Sequence, residues 1–162
     1  MRSLRKQESV GLLVGAALRA IKRAVLARTR PSGLESRRFW VLVAVLESRA
    51  ASPHELAARL HVDEPTISRT LRALSTRGFV RVERDPRDRR RALVRPTAQG
   101  VRLGRSILPL AADIRASIVR GIGAPTQRAM REGLHRIILN MERARSGGPR
   151  AVVPPARRRK AG

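Results

Sequence analysis

Along the run Asp63-Glu64-Pro65-Thr66-Ile67-Ser68-Arg69-Thr70-Leu71-Arg72, polar and apolar residues separate at steps of three and four. Wound as a helix and continued to Thr76, the run puts Ile67, Leu71 and Leu74 on one face, with Thr70 at its margin. Pro65, Thr66, Arg69, Arg72 and Thr76 fall on the opposite face. Hydroxyls near a helix N-terminus and guanidinium groups further along are suited to one kind of chemistry. A Thr hydroxyl meets base edges or phosphates, and an Arg fork grips guanine bidentately or takes a phosphate. The same face also serves as ordinary solvated surface, so its neighbours must decide between the two readings.

A second cationic cluster follows. Asp85-Pro86-Arg87-Asp88-Arg89-Arg90 mixes turn-forming residues with Arg, between the alternating runs Phe79–Arg84 and Arg91–Arg95. This pattern predicts a hairpin with a basic tip. Such a tip suits phosphates, or Arg insertion into a narrow minor groove where the negative potential is enhanced. A solvated charged tip is the alternative.

The elements that must position these groups are legible from caps and stops. Ser52-Pro53-His54-Glu55 is a capping box with Pro at the first helical position, where a missing N–H removes no bond. It opens a short helix with Leu56 and Leu60 inward and Ala57 and Ala58 allowing close packing. His61-Val62-Asp63 makes a turn, and Asp63 caps the next helix, predicted over Glu64–Arg77. Gly78 supplies a left-handed stop. Two short helices joined by a three- to four-residue turn are a helix-turn-helix, and the hairpin directly after them is a wing.

The order Leu60-x-Val62-Asp63-x-x-Thr66-Ile67-Ser68-Arg69, Gly78-Phe79-Val80, Asp85-Pro86-x-Asp88-Arg89-Arg90 and Thr97-x-x-Gly100 resembles the DNA-binding core of the MarR (multiple antibiotic resistance regulator) family. The resemblance implies a mainly α fold with a small β-hairpin wing: a winged helix-turn-helix carried by N- and C-terminal dimerisation helices that interleave in a homodimer. It places Asp63, Glu64, Pro65, Thr66, Ser68, Arg69 and Arg72 on the recognition helix. Arg84, Arg87, Asp88, Arg89, Arg90 and Arg91 would form the wing's DNA surface, with Asp88 bracing the Arg90 that enters the minor groove. Many members respond to small aromatic acids, for which Arg38 and Trp40 are weak candidates here. The chain has no Cys, which argues against the family's thiol-based peroxide sensors. Glu64 and Pro65 are not obvious base readers. Pro96 departs from the usual Leu, and a proline cannot donate to a ladder, so the second strand is predicted to end at Arg95.

The flanking segments fit that plan. Val10, Val14, Ala17, Ile21 and Val25 recur at helical spacing within a predicted helix over 3–28. Ser32-Gly33-Leu34-Glu35 reads as another capping box, opening an apolar central helix to about Glu47 that includes Phe39 and Trp40. Thr97 caps a long helix to about Arg120, with Leu103, Ile107, Leu110, Ile114 and Ile118 as its stripe and Pro109 as an expected kink. Gly121-Ile122-Gly123 breaks it. Pro125 starts a last helix through Met141, with Met130, Leu134, Ile137, Ile138 and Met141 inward. The expected organisation is residues 1–49 for N-terminal dimerisation and core helices, and 50–100 for the winged region. C-terminal dimerisation helices occupy 101–144, and a disordered basic tail 145–162.

Composition sets the outer bounds. There are 36 Lys and Arg against 12 Asp and Glu, a formal net charge of +24, so a polyanion is the expected partner. The three His have no metal-binding spacing, and no nucleophile or phosphate-loop motif occurs, so neither an enzyme nor a cofactor or metal site is expected. The apolar run Val10–Ala17 is too short to span a membrane, which predicts a cytoplasmic, nucleoid-associated chain. The leading reading is a homodimeric, sequence-specific regulator, most simply a repressor relieved by a small ligand, on pseudo-palindromic double-stranded DNA. The alternative is a non-specific architectural DNA binder.

Overall fold

The computed structural model describes residues 8–86 and 88–146, and the chain divides into two compact units, Met1–Ile118 and Val119–Gly162. The first unit runs α1 (Val10–Thr29), a 3-10 turn (Arg30–Ser32), α2 (Ser36–Ser48), α3 (Pro53–Leu60), α4 (Glu64–Thr76), β1 (Val80–Arg84), β2 (Ala92–Pro96) and α5 (Ala98–Ile118). The second holds α6 (Ala124–Ser146).

The core of the first unit is built around α2, where Phe39, Val41, Leu42, Val43, Ala44 and Val45 are all buried. A helix apolar on most sides needs partners on most sides, and α2 packs against α1, α3, α4, β2 and α5. Leu56 from α3, Ile67, Leu71 and Leu74 from α4, Val80 and Val94 from the hairpin, and Ile107 and Ile114 from α5 complete the core. Each such side chain removed from water contributes about 1.5–3 kcal/mol.

The structure departs from several of these expectations. Residues 3–7 of the predicted first helix lie outside the described residues, and α1 runs from Val10 to Thr29. Only Val25 of its predicted stripe is fully buried, while Val10 is 60% exposed. Ser32 is not the N-cap of α2. Gly33 takes a left-handed φ of 62° and closes the 3-10 turn, so α2 begins three residues later than the expected capping box requires. Glu35 is the N-cap, makes no side-chain cap bond and faces Arg38 at 3.7 Å.

The strand β2 continues through Pro96, which stands opposite Val80. The pleat explains why this is tolerated. The Val94 amide and carbonyl turn away from β1 to bond Ala51, at 2.8 and 3.2 Å, while the Thr97 amide donates to the Phe79 carbonyl at 3.1 Å. Residue 96 shares the orientation of residue 94, so its missing N–H takes nothing from the β1 ladder.

On α5 the buried face is Gly100, Gly104, Ile107, Ala111 and Ile114, with Leu103 and Leu110 half-buried and Ile118 exposed. Two glycines set this rotation. A Cβ on Gly100 would overlap the Phe79 carbonyl oxygen, and one on Gly104 would stand 3.0 Å from Leu46 Cδ2. The helix continues unbroken through Pro109. Gly121, at φ 77°, lies in the predicted break. In the second unit α6 extends past Met141 to Ser146, on good helix formers such as Glu142, Ala144 and Arg145. The rest of the predicted tail, from residue 147, lies outside the described residues.

Candidate nucleic-acid interface

The helix-turn-helix is fixed by two caps and two left-handed residues. Ser52 Oγ accepts from the Glu55 amide at 3.2 Å, and Glu55 Oε2 accepts from the Ser52 amide at 2.8 Å. His61 closes α3 at φ 50°, a conformation that His tolerates better than bulkier residues. Asp63 Oδ1 then accepts from the Thr66 amide at 2.8 Å and starts α4. Both carboxyls are held below the usual carboxylate range. For Glu55 the leading cause is the bond from the Ser52 amide, and for Asp63 the bond from the Thr66 amide. Gly78, at φ 71°, ends α4 and turns the chain into β1.

This framework places the predicted recognition residues on the outer side of α4. Ile67, Thr70, Leu71 and Leu74 are buried, whereas Glu64, Pro65, Arg69, Arg72 and Thr76 are exposed and Thr66 and Ser68 are half-buried. Arg69 Nη2 donates to Thr66 Oγ1 at 2.9 Å, which holds one guanidinium over the first turn. Thr70 and Thr76 return their hydroxyls to the Thr66 and Arg72 carbonyls, at 2.8 and 3.0 Å. Thr76 therefore serves the helix as well as its outer face.

In the wing, Asp88 Oδ1 accepts from the Arg90 backbone amide at 3.0 Å, and the Arg91 amide donates to the Asp88 carbonyl at 2.9 Å. Asp88 thus shapes the turn that carries Arg90 through its main chain. Arg84 Nη1 donates to the Arg89 carbonyl at 3.1 Å and ties the tip to the strand. Arg87 lies outside the described residues.

The acidic residues sort the cations. Glu83 pairs with Arg81 and Arg95 on the hairpin, and Glu55 Oε1 pairs with Arg91 at 3.0 Å. Glu47 pairs with Arg59 of α3 and, at 2.7 Å, with Arg115 of α5. Among the described residues, no carboxylate lies within ion-pair distance of Arg72, Arg89 or Arg90. Unbalanced cations on α4 and at the wing tip make a surface suited to a polyanion.

Sequence reasoning missed four of these links. They are Glu55 to Arg91, the Glu47 hub, His54 Nδ1 lying 3.5 Å from Glu64 Oε2, and Arg77 donating to the Gly33 carbonyl at 2.8 Å. Only the His54–Glu64 pair carried a signal. Both residues sit in the first turn of consecutive helices, and the helix-turn-helix brings those turns together. Trp40 is half-buried, edge-on to Phe39 at 5.1 Å, with the Arg115 guanidinium over its ring at 5.4 Å. Two clefts of about 210 Å³ each flank Arg28 and α5, and neither is lined by Arg38 or Trp40. Arg28 itself pairs with Asp113 at 2.8 Å. Among the described residues, no group of three or more His, Asp or Glu could hold a metal ion, and no helix is long and apolar enough to cross a membrane.

No curated protein matches the chain in sequence. A sequence profile of the MarR family matches residues 32–91, which include α2, the helix-turn-helix and the wing tip. Among solved structures, CouR of Rhodococcus jostii RHA1 bound to p-coumaroyl-CoA superposes with a TM-score of 0.71 at 27% identity, over 81% of this chain and 92% of that one. Bordetella bronchiseptica BpsR, solved in a study of its regulation by 6-hydroxynicotinic acid, gives 0.67 at 27% identity, over 80% and 93%. A mutant of E. coli MarR complexed with operator DNA gives 0.66 at 22% identity over 79% and 92%, a likeness of fold. The profile match falls on the helices and wing that carry the unbalanced cations, so residues 32–91 form a winged helix-turn-helix of the MarR family of DNA-binding transcription regulators.

Proposed function

We propose that the chain is a homodimeric, sequence-specific repressor that binds a pseudo-palindromic operator and is released by a small ligand. The observation that carries this reading is the pairing of exposed Arg69 and Arg72 on α4, beside half-buried Thr66, with a wing tip bearing Arg89 and Arg90. In a dimer two such faces stand about one helical turn apart, roughly 34–36 Å, and read two half-sites of successive major grooves. Asp63, Glu64, Pro65, Thr66, Ser68, Arg69 and Arg72 address the major groove. Arg84, Arg89 and Arg90 address the adjoining backbone and minor groove, while Asp88 and Arg91 hold the wing in place. Support for a dimer comes from the apolar residues left exposed on α1, such as Leu12 at 72%, and from Met130 and Met141 on α6.

For the ligand, the two clefts beside Arg28 are the candidate, each of a size for a single-ring acid. A ligand carboxylate there would compete with Asp113 for the Arg28 guanidinium, loosening α1 from α5. The net charge of +24 favours a second reading, a non-specific architectural binder. Binding to a promoter-derived palindrome and to random duplex at about 150 mM salt separates the two. A specific regulator prefers its site by about 10³ or more, and a ratio near one would replace the repressor reading with the architectural one.

A further inference from the structure

The first turn of α4 presents one acceptor that the helix itself does not use. Asp63 is engaged by the Thr66 amide at 2.8 Å, and the Thr66 hydroxyl accepts from Arg69 at 2.9 Å. Glu64, one residue into the helix, has its side chain 54% exposed and stands beside His54, an ion pair only when the imidazole is protonated. His54 belongs to the first turn of α3, and its Nδ1 lies 3.5 Å from Glu64 Oε2. A side chain from the preceding helix therefore stands beside a carboxylate at the leading edge of the recognition helix.

A carboxylate in that position is selective by repulsion as well as attraction. Phosphate oxygens repel it, as do guanine N7 and O6 and thymine O4, which are all acceptors. Only cytosine N4 and adenine N6 offer amino donors in the major groove. Adenine sets its N7 acceptor beside N6, facing the second carboxylate oxygen, whereas cytosine has only a C–H beside N4. We infer that Glu64 is a specificity-determining residue that accepts a hydrogen bond from N4 of a cytosine in each half-site, with His54 bracing its carboxylate. The inference rests on the proposed sequence-specific reading of DNA.

The test is selection from a random duplex pool with the full chain and with Glu64→Gln, Glu64→Ala and His54→Ala, each checked for an unchanged melting profile. The native chain is expected to enrich cytosine roughly ten-fold at one position per half-site, within the range of a single base contact. Glu64→Gln shifts that position to adenine, whose N6 and N7 a carboxamide reads together. Glu64→Ala makes the position degenerate and leaves the rest of the motif intact. His54→Ala lowers the cytosine enrichment at that position, whereas a merely structural His54 would weaken all sequences alike. An identical motif from the native chain and both Glu64 variants would overturn the inference. A motif unchanged by His54→Ala would overturn the bracing. If the native chain enriches no motif, sequence-specific reading falls, and the Glu64 assignment falls with it.

Discussion

Arg90 and Arg91 are adjacent and chemically identical, yet their surroundings differ. The Arg91 guanidinium is tied to Glu55 at 3.0 Å, and both side chains are about half exposed, so the pair is screened and worth little to stability. Arg90 faces no carboxylate among the described residues, and its backbone amide is fixed by Asp88. Replacing Arg90 with Ala is expected to weaken DNA binding by about 1–3 kcal/mol. Arg91→Ala should cost clearly less affinity and register as a small loss of melting temperature. Anisotropy titrations of one duplex with both variants decide it, and a larger affinity loss for Arg91 would mean that DNA draws it away from Glu55. The charge density of the wing was legible in the sequence. Which Arg is balanced was not, because Glu55 lies 36 residues upstream and reaches the hairpin only through the fold.

The helix-turn-helix is held by local bonds, and these were readable because each closes within three residues. Ser52 with Glu55, Asp63 with Thr66, and the left-handed Gly78 all stand where the sequence puts them. The same rule misled at Ser32, where Pro31 and Gly33 draw the chain into a 3-10 turn before α2 can start. The buried face of α5 was misread for a different reason. Gly100 and Gly104 carry no side chain to enter a hydrophobic stripe, and their role depends on how closely Phe79 and Leu46 approach. The Pro96 strand end failed because orientation within the ladder, not proline content, decides whether a missing donor matters. The caps also predict a pH response. Glu55 and Asp63 are depressed in the folded chain, so their stabilisation is present above the unfolded carboxylate range and is lost as pH falls through the folded values. Denaturant melts should therefore show the native chain weakening below about pH 4. Glu55→Gln should be less stable near neutrality and lose less on acidification. Parallel pH profiles for the two proteins would remove Glu55 from the acid response.

Charge and apolar surface oppose each other when two copies of this chain meet. α1 carries Arg19, Lys22, Arg23 and Arg28 with no acidic residue between Val10 and Thr29, beside exposed Leu12, Leu13, Leu18 and Leu26. α6 sets Arg128, Arg131, Arg136, Arg143 and Arg145 against Glu132 and Glu142, beside exposed Met130, Leu134 and Leu139. If these apolar residues form the proposed dimer, their burial favours association while two net charges of +24 resist it. Salt shortens the reach of that repulsion, from about 10 Å at 0.1 M to about 3 Å at 1 M. Dimer affinity is then expected to rise several-fold between roughly 50 and 500 mM salt. DNA affinity should fall over the same range, with a log–log slope of about −0.9 for each phosphate neutralised. At low salt a short duplex would itself screen the two copies and promote their assembly. Sedimentation velocity across the salt series, with and without duplex, reads all three effects. A dimer affinity that salt leaves flat or weakens would mean that interfacial ion pairs hold the copies together, and a monomer at every salt concentration would refute the homodimer.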